Sequence, residues 1–207
     1  MGIYSKIIFP FLLGRSMSKP SLAKLRKQLL SEVNGKILEV GFGTGENLKY
    51  YPGHVQKITV IDINDELGKK AKEKILESAI DVDYQKVSAE QLPFDNSSFD
   101  CIVSTFTFCS ILNIEKAVAE YFRVLKPGGK LFFLEHGKST DKKVSFFQNL
   151  INPIFKRIAC DINRDIESII KTQNFKTLTM KKFYHENTMK IVWFLYMGVC
   201  QKSRVHK

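Results

Sequence analysis

The stretch Lys36-Ile-Leu-Glu-Val-Gly-Phe-Gly-Thr-Gly-Glu46 decides the fold. Its first half, Lys36 to Val40, is a short apolar run that meets glycines at alternate positions, Gly41, Gly43 and Gly45. Such a run reads as a buried strand feeding a tight turn, because glycine tolerates positive φ and lets a small ligand approach the backbone. A nucleotide-like ligand is implied. The dinucleotide fingerprint is G-x-G-x-x-G, whereas here Glu46 occupies the position of the third glycine. Glu39, just before the loop, would repel a pyrophosphate but suits an ammonium group, met directly or through water. A nucleoside carrying a cationic amino-acid moiety fits better than NAD.

Working outward, Lys57 to Ile61 reads as a second buried strand, and Asp62 ends it 17 residues beyond Gly45. A carboxylate there can accept both hydroxyls of a ribose, with Ile63 beside it in the same turn. A third strand, Val82 to Val87, leads into Ser88-Ala-Glu-Gln-Leu-Pro-Phe94, at the edge where an adenine would lie. The Ala89 backbone amide and Glu90 are the groups placed to meet the base. Asp100 to Thr105 is a fourth strand and Lys130 to Glu135 a fifth, with Lys126-Pro-Gly-Gly129 stopping the helix between them.

Helices are expected at Pro20 to Val33, Glu46 to Tyr51, Asn64 to Ala79, Ile114 to Leu125, Val144 to Ile158 and Asp165 to Thr172. Alternation of strand and helix predicts a parallel sheet with helices on both faces, since parallel neighbours need right-handed crossovers. Lys176 to Tyr184 and Lys190 to Gln201 read as two closing strands that pair as a hairpin. The chain of 207 residues suits one domain, preceded by a segment 1–34.

The net charge of +11 belongs to the two ends. Residues 1–31 hold six Lys/Arg and no acid, and residues 171–207 hold eight against Glu186 alone. An anionic membrane or a nucleic acid would both use such an excess, and a solvated basic surface is the plain alternative. The longest uncharged stretch considered, Ile191 to Gln201, has eleven residues, too short to span a bilayer. Pro10 interrupts the early apolar run Ile7 to Leu13, which argues against a secretory leader and for a cytoplasmic protein. The cysteines at 101, 109, 160 and 200 lack the spacing of a zinc site or a disulfide framework, so free thiols and no metal are expected.

The ordered set Glu39 to Gly45, Asp62, Ala89 to Phe94, Ser98-Phe-Asp100 and Arg123 to Gly129 resembles the class I S-adenosylmethionine-dependent methyltransferases over about residues 36–135. That resemblance implies a Rossmann-like seven-stranded sheet of order 3-2-1-4-5-7-6 with strand 7 antiparallel. It also implies S-adenosylmethionine as donor, S-adenosylhomocysteine as product, and a donor site of Glu39, Gly41, Gly43, Thr44, Gly45, Asp62, Ile63, Ala89, Glu90 and Thr105. Ser88 stands where many relatives place an adenine-binding Asp, which leaves that task to the backbone or to Glu90.

Thr105-Phe-Thr-Phe-Cys-Ser110, Leu134-Glu-His-Gly137, Gln148 with Asn152-Pro153, and Cys160 with Arg164 are similar to a narrower group. It contains membrane-associated alkyl thiol methyltransferases and bacterial proteins labelled phosphatidylethanolamine N-methyltransferases. Ala159 and Asp161 depart from the Gly-Cys-His arrangement common there.

Methyl transfer from a sulfonium needs alignment, exclusion of water and a deprotonated acceptor. His136, ending the fifth strand at the ligand edge, is the candidate base. Phe106, Phe108, Phe146 and Phe147 are candidates to roof an apolar acceptor pocket, and Cys109 to wall it. The expected acceptor is a lipophilic small molecule, a thiol first and a phospholipid amine second. A donor-binding membrane protein without turnover and an RNA methyltransferase are the rivals. The absence of Asn/Asp-Pro-Pro-Tyr/Phe after the fourth strand points away from DNA bases, and no RNA module is recognisable. Ile7 to Leu13, followed by five basic residues before Glu32, is expected to be a lid, a membrane contact or both.

Overall fold

The computed structural model describes residues 20–158, 160–186 and 188–204. The early apolar run Ile7 to Leu13 and the departure at Ala159 lie outside them. The elements run α1 (Pro20–Leu30), β1 (Ile37–Val40), β2 (Lys57–Ile61), α2 (Asp65–Glu77), β3 (Asp81–Gln85), β4 (Phe99–Thr105), α3 (Ile114–Val124), β5 (Leu125–His136), α4 (Lys142–Ile158), α5 (Ile166–Lys171), β6 (Phe175–Tyr184) and β7 (Phe194–Lys202). The seven strands form one sheet of order β3-β2-β1-β4-β5-β7-β6. Strand β1 lies parallel between β2 and β4, with Leu38 opposite Thr59 and Ile102. Strand β7 is antiparallel to both β5 and β6. This is the expected sheet.

All four residues of β1 are buried, as a strand covered on both faces must be. The alternation of strand side chains divides the core in two. Leu131 and Phe133 of β5 join the face packed by Val118 and Tyr121 of α3 and Ile166 and Ile170 of α5. Phe132 and Leu134 join the opposite face, with Leu22 and Leu29 of α1 and Ala71 of α2. Fully buried large side chains such as Leu22, Tyr121, Phe132, Phe133 and Ile166 each contribute about 2 to 3 kcal/mol of transfer free energy.

The helix expected at Glu46 to Tyr51 is a single 3-10 turn, Leu48–Tyr50, and two expected strand boundaries move by four residues or more. Helix α3 stops at Val124, but the next residue already opens β5, and Lys126 to Gly129 form a bulge inside that strand. Pairing passes from Phe99 opposite Leu125 to Cys101 opposite Lys130. The bulge is pinned by the Lys126 ammonium, 2.9 Å from both Asp100 carboxylate oxygens. Strand β7 starts at Phe194, not Lys190, because the N–H groups of Val192 and Trp193 both donate to the Met189 carbonyl and close a turn. Among the described residues no helix is long and apolar enough to cross a membrane.

Candidate functional site

The turns that follow β1, β2 and β4, with residues 87–90 after β3, surround a cavity of about 500 Å³ at the carboxyl edge of the sheet. Ligands of open α/β sheets bind at that edge. Gly41, Gly43 and Gly45 all adopt positive φ, of 70°, 58° and 71°. At Gly41 a side chain would also collide with Thr107, whose Oγ1 lies 2.1 Å from the Cβ position. At Gly43 the space is open, with nothing nearer than 3.9 Å, so the backbone there is bare toward a ligand. Gly41, Gly43 and Thr44 line the cavity; Gly45 lies beneath it, packed on the Phe42 ring.

Asp62 lines the opposite wall. Its Oδ2 accepts the Gly43 N–H at 2.8 Å and its Oδ1 accepts the Asn64 N–H at 2.8 Å. The carboxylate retains lone-pair capacity for a hydroxyl. Burial raises the carboxyl above its ordinary pKa, and the N–H donors of Asn64, Gly43 and Ile63 work against that rise. Ile63 is exposed at the rim, and Ala89 and Glu90 complete this wall. The Glu90 carboxylate accepts the Asn113 N–H at 3.0 Å, so its side chain also holds the start of α3.

The deep end of the cavity is a polar network that sequence reading found only in part. Glu39 is buried and accepts hydrogen bonds from Tyr51 Oη at 2.7 Å and Asn47 Nδ2 at 2.9 Å. Burial nevertheless pushes its carboxyl up to about 7. Thr105 Oγ1 accepts from Asn47 Nδ2 at 3.1 Å and from Arg26 at 2.8 Å. Arg26, on α1, also donates to Asn47 Oδ1 at 2.5 Å, and burial lowers its pKa. The buried Arg26 Nε has no partner among the described residues. Arg26, Asn47 and Tyr51 escaped the sequence reading. The signal was available for Arg26, which sits between Leu22 and Leu29 on the apolar stripe of its helix, where a charge needs a buried partner.

The loop after β4 closes the cavity and is clamped by Glu135, one residue before the candidate base. The Glu135 carboxylate accepts the N–H groups of Thr107 at 2.8 Å and Phe108 at 3.1 Å, and the Ser104 hydroxyl at 2.7 Å. Full burial drives its carboxyl well above the ordinary range. The clamp holds Phe106 at φ 56°, a left-handed conformation that a bulky residue adopts only under constraint. Phe106 lines the cavity; Phe108 instead enters the core, and Phe146 and Phe147 lie exposed on α4, so those three roof no pocket. Cys109 is buried in the same loop and does not line the cavity.

His136 is buried and is not among the cavity-lining residues. Its ring packs, tilted, 4.9 Å from Phe106 and, edge to face, 4.8 Å from Trp193. Burial pushes its pKa down to about 4, so it is neutral at physiological pH. Its Nδ1 has no hydrogen-bond partner among the described residues. Among those residues, no group of three or more His, Cys, Asp or Glu could hold a metal ion.

Residues 38–133 match the methyltransferase-domain family. The fold is that of the class I methyltransferases. An S-adenosylmethionine-dependent methyltransferase from Methanosarcina mazei superposes with a TM-score of 0.66 at 21% identity, covering 84% of this chain and 96% of that one. The [4+2]-cyclase SpnF superposes with a TM-score of 0.67 at 17% identity, covering 88% of this chain and 80% of that one. At such identities the likeness is one of fold, and a cyclase among the neighbours shows that chemistry has to be argued from the site.

In sequence, the ubiquinone/menaquinone biosynthesis C-methyltransferase UbiE of Cronobacter sakazakii is 39% identical over 108 residues, 50% of this chain and 43% of that protein. Its counterpart in Saccharophagus degradans is 27% identical over 171 residues, 76% of this chain and 69% of that protein. The match therefore spans less than half the length of the Cronobacter relative.

Proposed function

We propose that the protein is an S-adenosylmethionine-dependent methyltransferase acting on a lipophilic small acceptor. The observation that carries the reading is the cavity itself, which sets an open glycine backbone against the Asp62 carboxylate and ends in buried groups of opposite charge. These match the parts of the donor one by one. Asp62 suits a ribose diol, the wall at Ala89 a flat base, Glu39 an ammonium group, and the Arg26 guanidinium, with its unused Nε, a carboxylate. The methyltransferase-domain match and the shared fold support the same donor.

The donor supplies an electrophilic methyl on a sulfonium. An electron pair of the acceptor, the π pair at an activated ring carbon or a lone pair on sulfur or nitrogen, forms the new bond to that carbon as the carbon–sulfur bond breaks, and the neutral thioether product leaves. The chain's part is to orient both reactants and keep water out, which the clamped Phe106 loop and the apolar rim of Ile63, Ile111 and Leu112 are built to do. His136, buried behind the Phe106 ring and not lining the cavity, positions that ring in this reading, and the acceptor's proton is released to solvent with the product.

The acceptor's identity follows from kinship more than from geometry. The named relatives are C-methyltransferases of ubiquinone and menaquinone biosynthesis, and this kinship supports the ring carbon of a quinol-like acceptor as the first choice. An alkyl thiol, favoured by the motifs around Thr105, Leu134 and Gln148, comes second, and a phospholipid amine third. A lipophilic acceptor also suits peripheral contact with an anionic membrane through the basic amino-terminal segment of residues 1–34, ahead of a catalytic domain at 35–207. The test is donor consumption with labelled methyl over demethylated quinols, alkyl thiols, phosphatidylethanolamine and RNA. Donor binding with no transfer to any of them would favour a binding protein without turnover. Transfer to RNA alone would overturn the lipophilic reading.

A further inference from the structure

Helix α4 is turned inside out. Its inward side carries buried Ser145 and Gln148 and half-buried Asn152 beside half-buried Val144, Ile151 and Phe155, while Phe146, Phe147, Leu150 and Ile154 are 64%, 50%, 64% and 63% exposed. Gln148 and Asn152 are fully engaged inward. Gln148 Nε2 donates to the carbonyls of Gly137, Ile162 and Ile191 at 3.0 to 3.1 Å, and its Oε1 accepts the Ser139 N–H at 2.8 Å. Asn152 bonds Asp161 at 2.9 Å and the Ile162 N–H at 2.8 Å. Positions 146, 147, 150 and 154 share one face at helical spacing, so the outward side is a contiguous apolar stripe on a helix about 25 Å long.

The stripe is bounded by cations. Lys142 and Lys143 stand in the first turn, Lys156 and Arg157 in the last, all four exposed, and no acid falls between Lys142 and Ile158. Lysines in a first turn oppose the helix dipole, so they serve something other than the helix. Lys156 lies 3.5 Å from Asp161; the other three have no ion pair among the described residues. A two-fold contact between copies would set these cationic ends against one another, whereas a layer of anionic headgroups over acyl chains complements both parts of the face.

The geometry points to α4 as a membrane-docking helix, seated in the interface of an anionic bilayer by Phe146, Phe147, Leu150 and Ile154 and held by its terminal Lys and Arg side chains. This does not depend on the methyl-transfer reading, and it gives that reading a route. From α4, Asn152 reaches Asp161, the Asp161 N–H donates to the Cys109 carbonyl at 2.9 Å, and Arg164 donates to the carbonyls of Phe108 at 2.6 Å and Ile111 at 2.5 Å. Ile111 and the 87% exposed Leu112 border the cavity. The helix that would meet the bilayer is thereby bonded, through its inward side, to the loop that carries the cavity rim.

The experiment is cosedimentation of the full chain at low salt with vesicles of phosphatidylcholine alone and of phosphatidylcholine mixed with phosphatidylglycerol. Phe146→Ser/Leu150→Ser/Ile154→Ser should lower partitioning into the mixed vesicles roughly tenfold or more, with donor affinity and thermal midpoint retained. Lys143→Gln/Arg157→Gln should weaken binding to the mixed vesicles only and flatten its salt dependence. As a check that survives any folding defect, Leu150→Trp should be quenched by lipids brominated on the acyl chains beyond the quenching of Trp193 in the parent. Absence of binding by the parent, unchanged binding by the triple-serine variant, or no added quenching at residue 150 would each overturn the inference. So would a triple-serine variant that loses only a concentration-dependent dimer in sedimentation velocity.

Discussion

The two halves of the sheet do different work. In the parallel half, β3-β2-β1-β4, every strand ends at the same edge, so Gly41, Asp62, Ala89 and Thr105 meet there although up to 64 residues separate them in sequence. The other half, β5-β7-β6, is joined to β4 by the parallel pairing of β5, is antiparallel within itself, and contributes no residue to the cavity wall. Its influence is indirect, through the Glu135 clamp on the Phe106 loop and through α4 on the outer surface. The parallel half thus holds the recognition groups, and the antiparallel half sets how the loop and the outer face present themselves. The methyltransferase-domain match, over residues 38–133, ends before β6 and β7 begin.

The division can be broken most sharply at Gly41. Gly41→Ala places a Cβ 2.1 Å from Thr107 Oγ1 at φ 70°, which strains the backbone and pushes on the clamped loop at once. The expected loss is about 3 kcal/mol or more of stability together with donor affinity, read by thermal unfolding and titration calorimetry. Gly53→Ala, where nothing lies within 4 Å, is the control and should change neither. If both behave alike, the glycine loop is not the constrained cradle described above.

A pH experiment tests the deep end. Native Glu39 holds its proton up to about pH 7, whereas the unfolded chain releases it near 4.5. Between those values the native state binds more protons, so this group's contribution to stability is complete below the lower value and lost as pH rises through the upper one. The full loss is at most about 3 kcal/mol. Glu39→Gln should therefore unfold with a shallower fall in stability between pH 5 and 8 than the parent. Parallel profiles would show that Arg26 already holds Glu39 ionised.

Asp62→Ala should weaken donor binding by about 1 to 3 kcal/mol, because the Gly43 and Asn64 N–H groups lose their acceptor along with the ribose. The fold should survive, since the residue is only half-buried. His136 belongs to the other half. With its pKa near 4, the parent's rate profile should show no histidine inflection between pH 6 and 7, and His136→Gln should lower turnover evenly across that range. An inflection near 6.5 that the variant abolishes would mean that His136 is wetter and closer to the acceptor than its burial indicates.

The same division explains what could be read from the chain in advance. The parallel half was legible because its signals are local: glycines after an apolar run, an acid at a strand end, turn residues between periodic segments. Where pairing between distant residues decides the structure, local signals mislead. Lys126 to Gly129 look like a turn, and the Asp100 carboxylate makes them a bulge. Lys190 to Trp193 look like strand, and the Met189 carbonyl makes them a turn. Phe146 and Phe147 have the spacing of a core-facing stripe, but Gln148 finds three carbonyls and rotates the helix so that the stripe faces out. Periodicity identifies a face; only the partners of the polar residues say which way it points.

The smallest expected effect lies on the seam between the halves, where Cys109 of the parallel half's closing loop meets Cys160 beyond α4. The two backbones are joined by the Asp161 N–H donating to the Cys109 carbonyl at 2.9 Å, and the two thiols hydrogen-bond to one another. That bond is unequal: the Cys109 S–H supports a thiolate at Cys160, which lowers the Cys160 pKa and, with full burial, raises that of Cys109. Cys160 is also the half-buried member, while Cys101, Cys109 and Cys200 are buried. Limited alkylation with iodoacetamide at neutral pH should therefore mark Cys160 first, located by peptide mass mapping. Cys109→Ala removes the donor and should slow the reaction at Cys160 roughly threefold to tenfold, without touching donor affinity or vesicle binding. Faster labelling in the variant would mean that Cys109 shields Cys160 and does not activate it. A loss of donor affinity would mean that the seam transmits strain from one half to the other, and the division of labour between them would need redrawing.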